Sequence, residues 1–239
     1  MPVSDPRPRT LSFDCYGTLI DWESGILAAM QPVIARHELV SSADEVLEAY
    51  ARGESAVEAG EYKPYREVLR RTFAAMAKDL GFAPQADELE TLIEALPRWP
   101  PFHDTVAGLR RLKDAGWRLV IISNVDDDLF FEGTAPQLGV EFDAVITAAQ
   151  ARCYKPGEAI FQQALARLGL EPGQLVHAAQ SRYHDIVTAR RLGIRCVHVT
   201  RDSGRVGGGA TPLVDAGEGV ADQSVANLAE LAELLISEG

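Results

Sequence analysis

Thr10-Leu-Ser-Phe-Asp-Cys-Tyr-Gly-Thr-Leu-Ile-Asp21 is the stretch on which the reading of the fold turns. A short apolar run suited to a strand stops on the carboxylate of Asp14, and Gly17 and Thr18 follow closely. An aspartate at the carboxyl end of a parallel strand stands where open α/β sheets bind ligands. Gly17 permits a sharp turn with no Cβ in the way, and the Thr18 hydroxyl is within reach of the Asp14 carboxylate or the turn backbone. Taken alone, the stretch is equally well a strand end closed by an Asx-turn.

Outward from there the pattern changes. Apolar residues recur at three- and four-residue spacing near 23–37, 43–60, 64–80 and 86–95, as in Val68, Leu69, Phe73 and Met76. Breaks fall at Ser41-Ser42, Gly60 to Pro64, Gly81 to Pro84 and Pro97 to Pro101. Beyond residue 102, helices near 103–115, from about 126, at 157–168 and at 185–192 alternate with strands at 118–122, 143–147, 175–179 and 194–199. A last amphipathic helix is predicted over 223–237. Such alternation implies an α/β fold with a doubly wound parallel sheet. The expected core domain is 1–20 with 101–239, and residues 21–100 form an inserted helical cap domain.

The chain has 239 residues, 46% of them hydrophobic, enough for one core and a smaller accessory unit. No stretch approaches the roughly 20 apolar residues of a membrane span, and Met1 to Arg9 lacks the apolar centre of a signal peptide. A soluble cytoplasmic protein is the expectation. A net charge of −12 disfavours nucleic acid and anionic membrane as partners, while a small anionic substrate remains compatible with it. Cys15, Cys153 and Cys196 are odd in number and lack metal-ligand spacing, so they read as reduced thiols. An apolar face of the cap would suit a homodimer. The glycine-rich run Ser203 to Pro212 lacks the Gly-Lys-Ser/Thr ending of a phosphate loop and reads as a surface connection.

Every strand of a parallel sheet delivers its carboxyl end to the same edge. Asp14, Ser123-Asn124, the loop carrying Lys155 and the run Gln180 to Asp185 therefore converge in one crevice. A fixed cation facing a carboxylate would keep Asp14 ionised and help to hold an anion. Asp126, Asp127 and Asp128 read as an acidic first turn of the next helix, since the glycine and distal glutamate of a calcium loop are missing.

Asp14-Cys-Tyr-Gly-Thr-Leu19, Ser123-Asn124, Lys155-Pro156 and Ser181 to Asp185 together resemble the four motifs of the haloacid dehalogenase-like hydrolase superfamily, in order and over nearly the whole chain. Tyr16 stands where phosphatase members carry a second aspartate, and this resembles the L-2-haloacid dehalogenase branch. That resemblance implies Asp14 as covalent nucleophile, Lys155 as its stabiliser, Thr18 as a supporting hydroxyl and Asp185 as the group that positions water. It implies substrate contacts from Tyr16, Ser123, Asn124, Ser181, Arg182 and His184, and no cofactor. The cap arginine that meets halide in such enzymes has no clear equivalent among Arg36, Arg52, Arg66, Arg70 and Arg71.

The expected reaction is hydrolysis of short 2-haloalkanoic acids through an aspartyl ester. The alternative is a Mg²⁺-dependent phosphatase with the metal on Asp14, the Tyr16 carbonyl and Asp185. Gln180, an amide in place of an acid, weakens a site for so hard a cation. A binding protein that has kept the fold and lost turnover is a third reading, against which Asp14, Lys155 and Asp185 all stand.

Overall fold

The computed structural model describes residues 9–201, 209–215, 217 and 219–238. Residues 203–208 of the glycine-rich run lie outside them. Six strands form one parallel sheet: β1 Thr10–Phe13, β2 Arg118–Ser123, β3 Ala144–Thr147, β4 Leu175–Ala179, β5 Arg195–Val199 and β6 Gln223–Val225, in the order β3-β2-β1-β4-β5-β6. Phe13 is in register with Ile121 of β2 on one side and Ala178 of β4 on the other. The chain leaves β1 toward β2 and later returns to its opposite side as β4. Strand order thus reverses beside β1, and open sheets bind ligands at such a crevice.

The sheet is covered on both faces, and β2 shows why. Leu119 and Ile121 belong to one apolar cluster with Leu109, Leu112 and Leu228, whereas Val120 and Ile122 join Ile160, Phe161 and Ile186 in the other. Side chains alternate across a strand, so an unbroken apolar run fits only where both faces are buried. Helices α5 Thr105–Asp114 and α9 Leu228–Ser237 cover the first face. The second lies under α7 Glu158–Leu168 and α8 Val187–Arg191, with the short α6 Ala148–Ala151 directly after β3.

Between β1 and α5 run α1 Trp22–Arg36, α2 Ala43–Glu58, α3 Tyr65–Asp79 and α4 Thr91–Ala95. Ser42 and Glu45 form a reciprocal capping box at the start of α2, where the sequence breaks. Val46, Leu47 and Tyr50 of α2 pack with Val68, Leu69, Phe73 and Met76 of α3, all buried. This insertion leaves and rejoins the sheet at one place. Ile20 bridges Pro101 in antiparallel fashion, the Asp21 amide donates to Pro100 O at 2.8 Å, and that of Phe102 to Leu19 O at 3.1 Å.

Four elements differ from the sequence expectation. The helix over 86–95 is interrupted by a 3₁₀ turn at Asp87–Glu90, because the Glu88 carboxylate accepts the Gln85 amide and binds Arg36 and His37 at the end of α1. The helix from about 126 is a wide π turn, Leu129–Thr134, and that near 185–192 opens with another, Arg182–Ile186. The helix over 223–237 yields its first turn to β6, and α9 begins after Asn227, whose side chain accepts the Glu230 amide. No helix among the described residues is long and apolar enough to cross a membrane.

Candidate active site

Asp14 follows the last residue of β1 and is almost wholly buried. Gly17 at φ +91° turns the chain there, and a side chain at that position would be strained and crowd Trp22. The turn brings Thr18 back so that its hydroxyl donates to Asp14 Oδ2 at 2.7 Å while accepting the Gln180 amide at 2.9 Å. Arg201 Nε holds the same turn through Thr18 O at 2.9 Å.

Lys155 projects from the loop before α7 with only 1% of its surface exposed. Its ammonium donates to Asp14 Oδ1 at 2.8 Å, Asp185 Oδ1 at 2.7 Å and Ile122 O at 3.0 Å, which uses all three of its hydrogens. Burial opposes the charge on Lys155, but Asp14 and Asp185 outweigh it and raise the pKa. Burial pushes the Asp14 carboxyl upward, Lys155 opposes that, and the Asp185 charge adds to it. Both Asp14 oxygens nevertheless accept hydrogen bonds, the pattern of a carboxylate. Asp185 lies below its ordinary range: burial would raise it, and Lys155 and His177 overcome that. His177 Nε2 lies 2.9 Å from Asp185 Oδ1 and its Nδ1 lies 2.8 Å from Ser12 Oγ. Asp185 Oδ2 is buried and has no hydrogen-bond partner among the described residues.

Asn124 ties this loop to the insertion. Its Oδ1 accepts the Lys155 amide at 2.8 Å, and its Nδ2 donates to Lys155 O and to Glu58 Oε2, each at 3.1 Å. Glu58 and Glu54 lie one turn apart on α2. Glu54 Oε1 accepts the hydroxyls of Tyr50 and Tyr65, both at 2.6 Å. Burial raises the pKa of both glutamates, that of Glu54 to about 7. Burial lowers His184 to about 4, so it is neutral near pH 7.

A cavity of about 30 Å³ is enclosed by Asp14, Tyr16, Ser123, Asn124, Lys155, Ser181, His184 and Asp185 from the sheet side. Glu54, Glu58, Tyr65 and Trp22 close it from the insertion, with Thr211 at its edge. Nine of the ten residues expected at the site are therefore brought together, Thr18 through Asp14. Arg182 is the exception: its Nε donates to Gly219 O at 3.0 Å, and the side chain does not line the cavity. The Tyr16 hydroxyl lies 2.8 Å from Thr134 Oγ1, bound to a neighbour of its own.

None of the five arginines considered for a halide lines the cavity. Arg36 pairs with Glu88, Arg52 with Asp79, Arg66 with Asp128, Arg70 with Glu90 and Arg71 with Glu67. The three aspartates after Asn124 also depart from expectation. Asp126 accepts the Tyr65 and Arg66 amides of α3, Asp127 binds Thr147 and Gln150, and Asp128 binds Arg66.

Sequence reasoning missed His177, Glu54 and Glu58. A histidine inside the otherwise apolar strand Leu-Val-His-Ala-Ala is a usable signal, as is a pair of acids at i, i+4 on the face of α2 that carries Tyr50.

Comparison with known proteins accords with this geometry. The model of the haloacid dehalogenase-like hydrolase family matches residues 8–193. Domain-containing protein 3 of that name from Danio rerio is 34% identical over 109 residues, so the chain matches less than half of that relative, 44% of its length and 45% of its own. (S)-2-haloacid dehalogenase 4A of Burkholderia cepacia is 24% identical over 196 residues, 81% of this chain and 83% of the relative. Among solved structures, a defluorinating L-2-haloacid dehalogenase is similar with a TM-score of 0.76 and 27% identity, over 95% of this chain and 94% of that one. The chain belongs to the haloacid dehalogenase-like hydrolase family.

Proposed function

We propose that the protein is a hydrolytic dehalogenase of short 2-haloalkanoic acids. Asp14 attacks the halogen-bearing carbon, the carbon–halogen bond breaks with its electron pair leaving as halide, and an aspartyl ester forms. Water then adds to the ester carbonyl, its proton passing toward Asp185, and Asp14 is released with a 2-hydroxy acid. Lys155 holds Asp14 ionised and oriented, and Thr18 fixes its second oxygen. Ser123 Oγ, buried without a hydrogen-bond partner among the described residues, offers a donor to the substrate carboxylate. Residues 21–100 act as a cap that excludes water during the first step and opens for release.

The observation that carries this reading is the state of Tyr16. Where a leaving alkoxide or phosphate ester would need an acid, the chain has a phenol bound to Thr134, with burial raising its pKa well above the ordinary value. Halide departs without a proton. His177 behind Asp185 supports a second, hydrolytic step, because it holds Oδ1 and leaves the buried Oδ2 without a hydrogen-bond partner among the described residues.

For the alternative, a Mg²⁺-dependent phosphatase, Asp14, the Tyr16 carbonyl and Asp185 would hold the metal. This donor set fits poorly, since Lys155 already bridges the two carboxylates and Gln180 supplies an amide. The deciding experiment is halide release from L-2-chloropropionate in EDTA-treated buffer, wild type beside Asp14→Asn. Release by the wild type alone is expected; activity toward phosphate esters that appears only with Mg²⁺ would overturn the proposal.

A further inference from the structure

Four carboxyl groups, those of Asp14, Glu54, Glu58 and Asp185, line a cavity whose only lysine or arginine among the described residues is Lys155. One ammonium cannot offset four buried negative charges, and groups so placed take up protons instead. Asp14 and Asp185 both touch Lys155, so the protons fall to the glutamates of α2.

The hydrogen bonds fix where the Glu58 proton sits. Lys155 N–H must donate to Asn124 Oδ1, which makes the other amide atom Nδ2 a donor, and Nδ2 donates to Glu58 Oε2. Oε2 is therefore the carbonyl oxygen. The hydroxyl is Oε1, which is buried and has no hydrogen-bond partner among the described residues. Beside it, Ser181 Oγ accepts the His184 amide at 2.9 Å and lies 3.1 Å from His184 Nδ1. The hydroxyl and Nδ1 share that hydrogen bond, and the other ring nitrogen, Nε2, is buried 3.7 Å from Glu58 Oε2 with no hydrogen-bond partner among the described residues. Glu58 and the His184 ring thus share one wall of the cavity, which no arginine among the described residues lines.

We propose that the Glu58 Oε1–H, beside the His184 ring, is the hydrogen-bond donor that receives the departing halide. The assignment rests on the dehalogenase reading and adds to it a specificity. Fluoride is the poorest leaving group and the strongest acceptor among the halides, so an oriented hydroxyl aids a carbon–fluorine bond most. The proton stays on Glu58, and the halide leaves hydrogen-bonded. Glu58 also lines an outer cleft of about 390 Å³ next to Tyr62, Arg152 and Tyr183, which gives the ion a way out past the residue that received it.

The test has two parts that fail separately. Bromide binding to the resting protein is followed by tryptophan fluorescence, with sulfate holding the ionic strength, because Trp22 lines the cavity. Saturable binding is expected, weakened about tenfold in Glu58→Ala and partly restored in Glu58→Gln, whose amide N–H replaces the hydroxyl. Binding to the wild type should weaken as pH rises and Glu58 ionises, and that dependence should vanish in Glu58→Gln. The groups facing Glu58 are Glu54, Tyr50, Tyr65, Lys155, Tyr154 and His184; burial raises all three phenols well above the ordinary value, and His184 is already neutral above about pH 4. If Glu58→Ala fails to fold, Glu58→Met serves as the donor-free variant.

Turnover supplies the second part. Loss of the donor should slow fluoride release from 2-fluoropropionate by about a hundredfold and bromide release from 2-bromopropionate by less. Equal bromide binding by wild type and the donor-free variant, or no saturable binding at all, would overturn the Glu58 assignment. So would a Glu58→Gln variant as weak as Glu58→Ala, since that outcome requires a carboxylate. Normal bromide binding without halide release from any 2-halo acid would instead overturn the dehalogenase reading and leave the assignment standing.

Discussion

The carboxylate of Asp126, in the loop after β2, accepts the backbone N–H of Tyr65 at 2.9 Å and so caps the first turn of α3 from across the molecule. Its second oxygen takes the Arg66 amide at 3.2 Å, whereas Pro64, at the end of the helix itself, offers no side-chain acceptor. An aspartate is suited to this place because it satisfies orphan donors and meets the positive end of the helix dipole. Asp126→Ala should cost about 1–2 kcal/mol in urea unfolding and raise KM more than it lowers kcat. An unchanged unfolding midpoint would show that the insertion is held by other contacts.

Lys155→Met leaves the buried carboxylates of Asp14 and Asp185 without their cation. Breaking a buried pair in this way costs about 3–5 kcal/mol near neutral pH. Asp185 has a lowered pKa in the folded chain, so the stability it contributes is present above its ordinary value of 3.8 and is lost as pH falls through the folded value. The gap between wild type and Lys155→Met should therefore narrow under acid. Unfolding curves at pH 7 and pH 2, on either side of 3.8, measure it, and a gap that widens on acidification would refute the argument.

His177→Phe removes the donor behind Asp185 without emptying the strand interior, where Phe161 already stands edge-on to the imidazole at 5.2 Å. The first step of the proposed reaction does not use this histidine, so the ester should form and then linger. Rapid mixing with substrate should show a burst of halide equal to the enzyme, followed by a slow steady rate. Proportional loss of both phases would place His177 in structure alone.

Glu54 is raised by burial from 4.5 to about 7, and the sign of its linkage is opposite to that of Asp185. Between those values the unfolded chain loses a proton that the folded chain keeps. Stability falls through that window and is constant above it, a loss on the order of 3 kcal/mol. Glu54→Gln still accepts from Tyr50 and Tyr65, so it should be more stable than wild type at pH 8 and no more stable at pH 4.5. Parallel melting curves at the two pH values test this.

Gly25 sits in α1 against the indole of Trp99, where a Cβ would come within 2.2 Å of the ring. Trp99 in turn stands edge-on to Tyr16 at 5.8 Å. Gly25→Ala should cost roughly 1–3 kcal/mol and disturb the turn after Asp14 as well. Thermal unfolding reads the first effect and halide release the second; a variant unchanged in both would mean that the indole shifts freely.

Much of this arrangement was legible in order along the chain. Strands buried on both faces read as unbroken apolar runs, and a parallel sheet sends Asp14, Ser123 and Lys155 to one edge, so local pattern and topology together located the crevice. Arg182 escaped because position along a turn does not say which way a long side chain points. Glu54 and Glu58 escaped for a related reason: acids on a helix ordinarily face water, and only the closure of α2 over the sheet buries these. His177 was hidden by its strand, since a polar residue there gains meaning only through Asp185, eight positions later. β6 was too short to show a period before the amphipathic helix beyond it.

The paired segments at Ile20 and Pro101 carry a consequence of another kind. Because the insertion enters and leaves at adjacent, hydrogen-bonded points, its length and sequence are nearly uncoupled from the connectivity of the sheet. Residues between those two points can be exchanged, lengthened or shortened while Asp14 keeps its turn and its lysine. A lineage or an engineer can thus alter what Asp14 meets without rebuilding the aspartate's own surroundings, and grafting a relative's helices between Asp21 and Pro100 is the direct way to use that freedom.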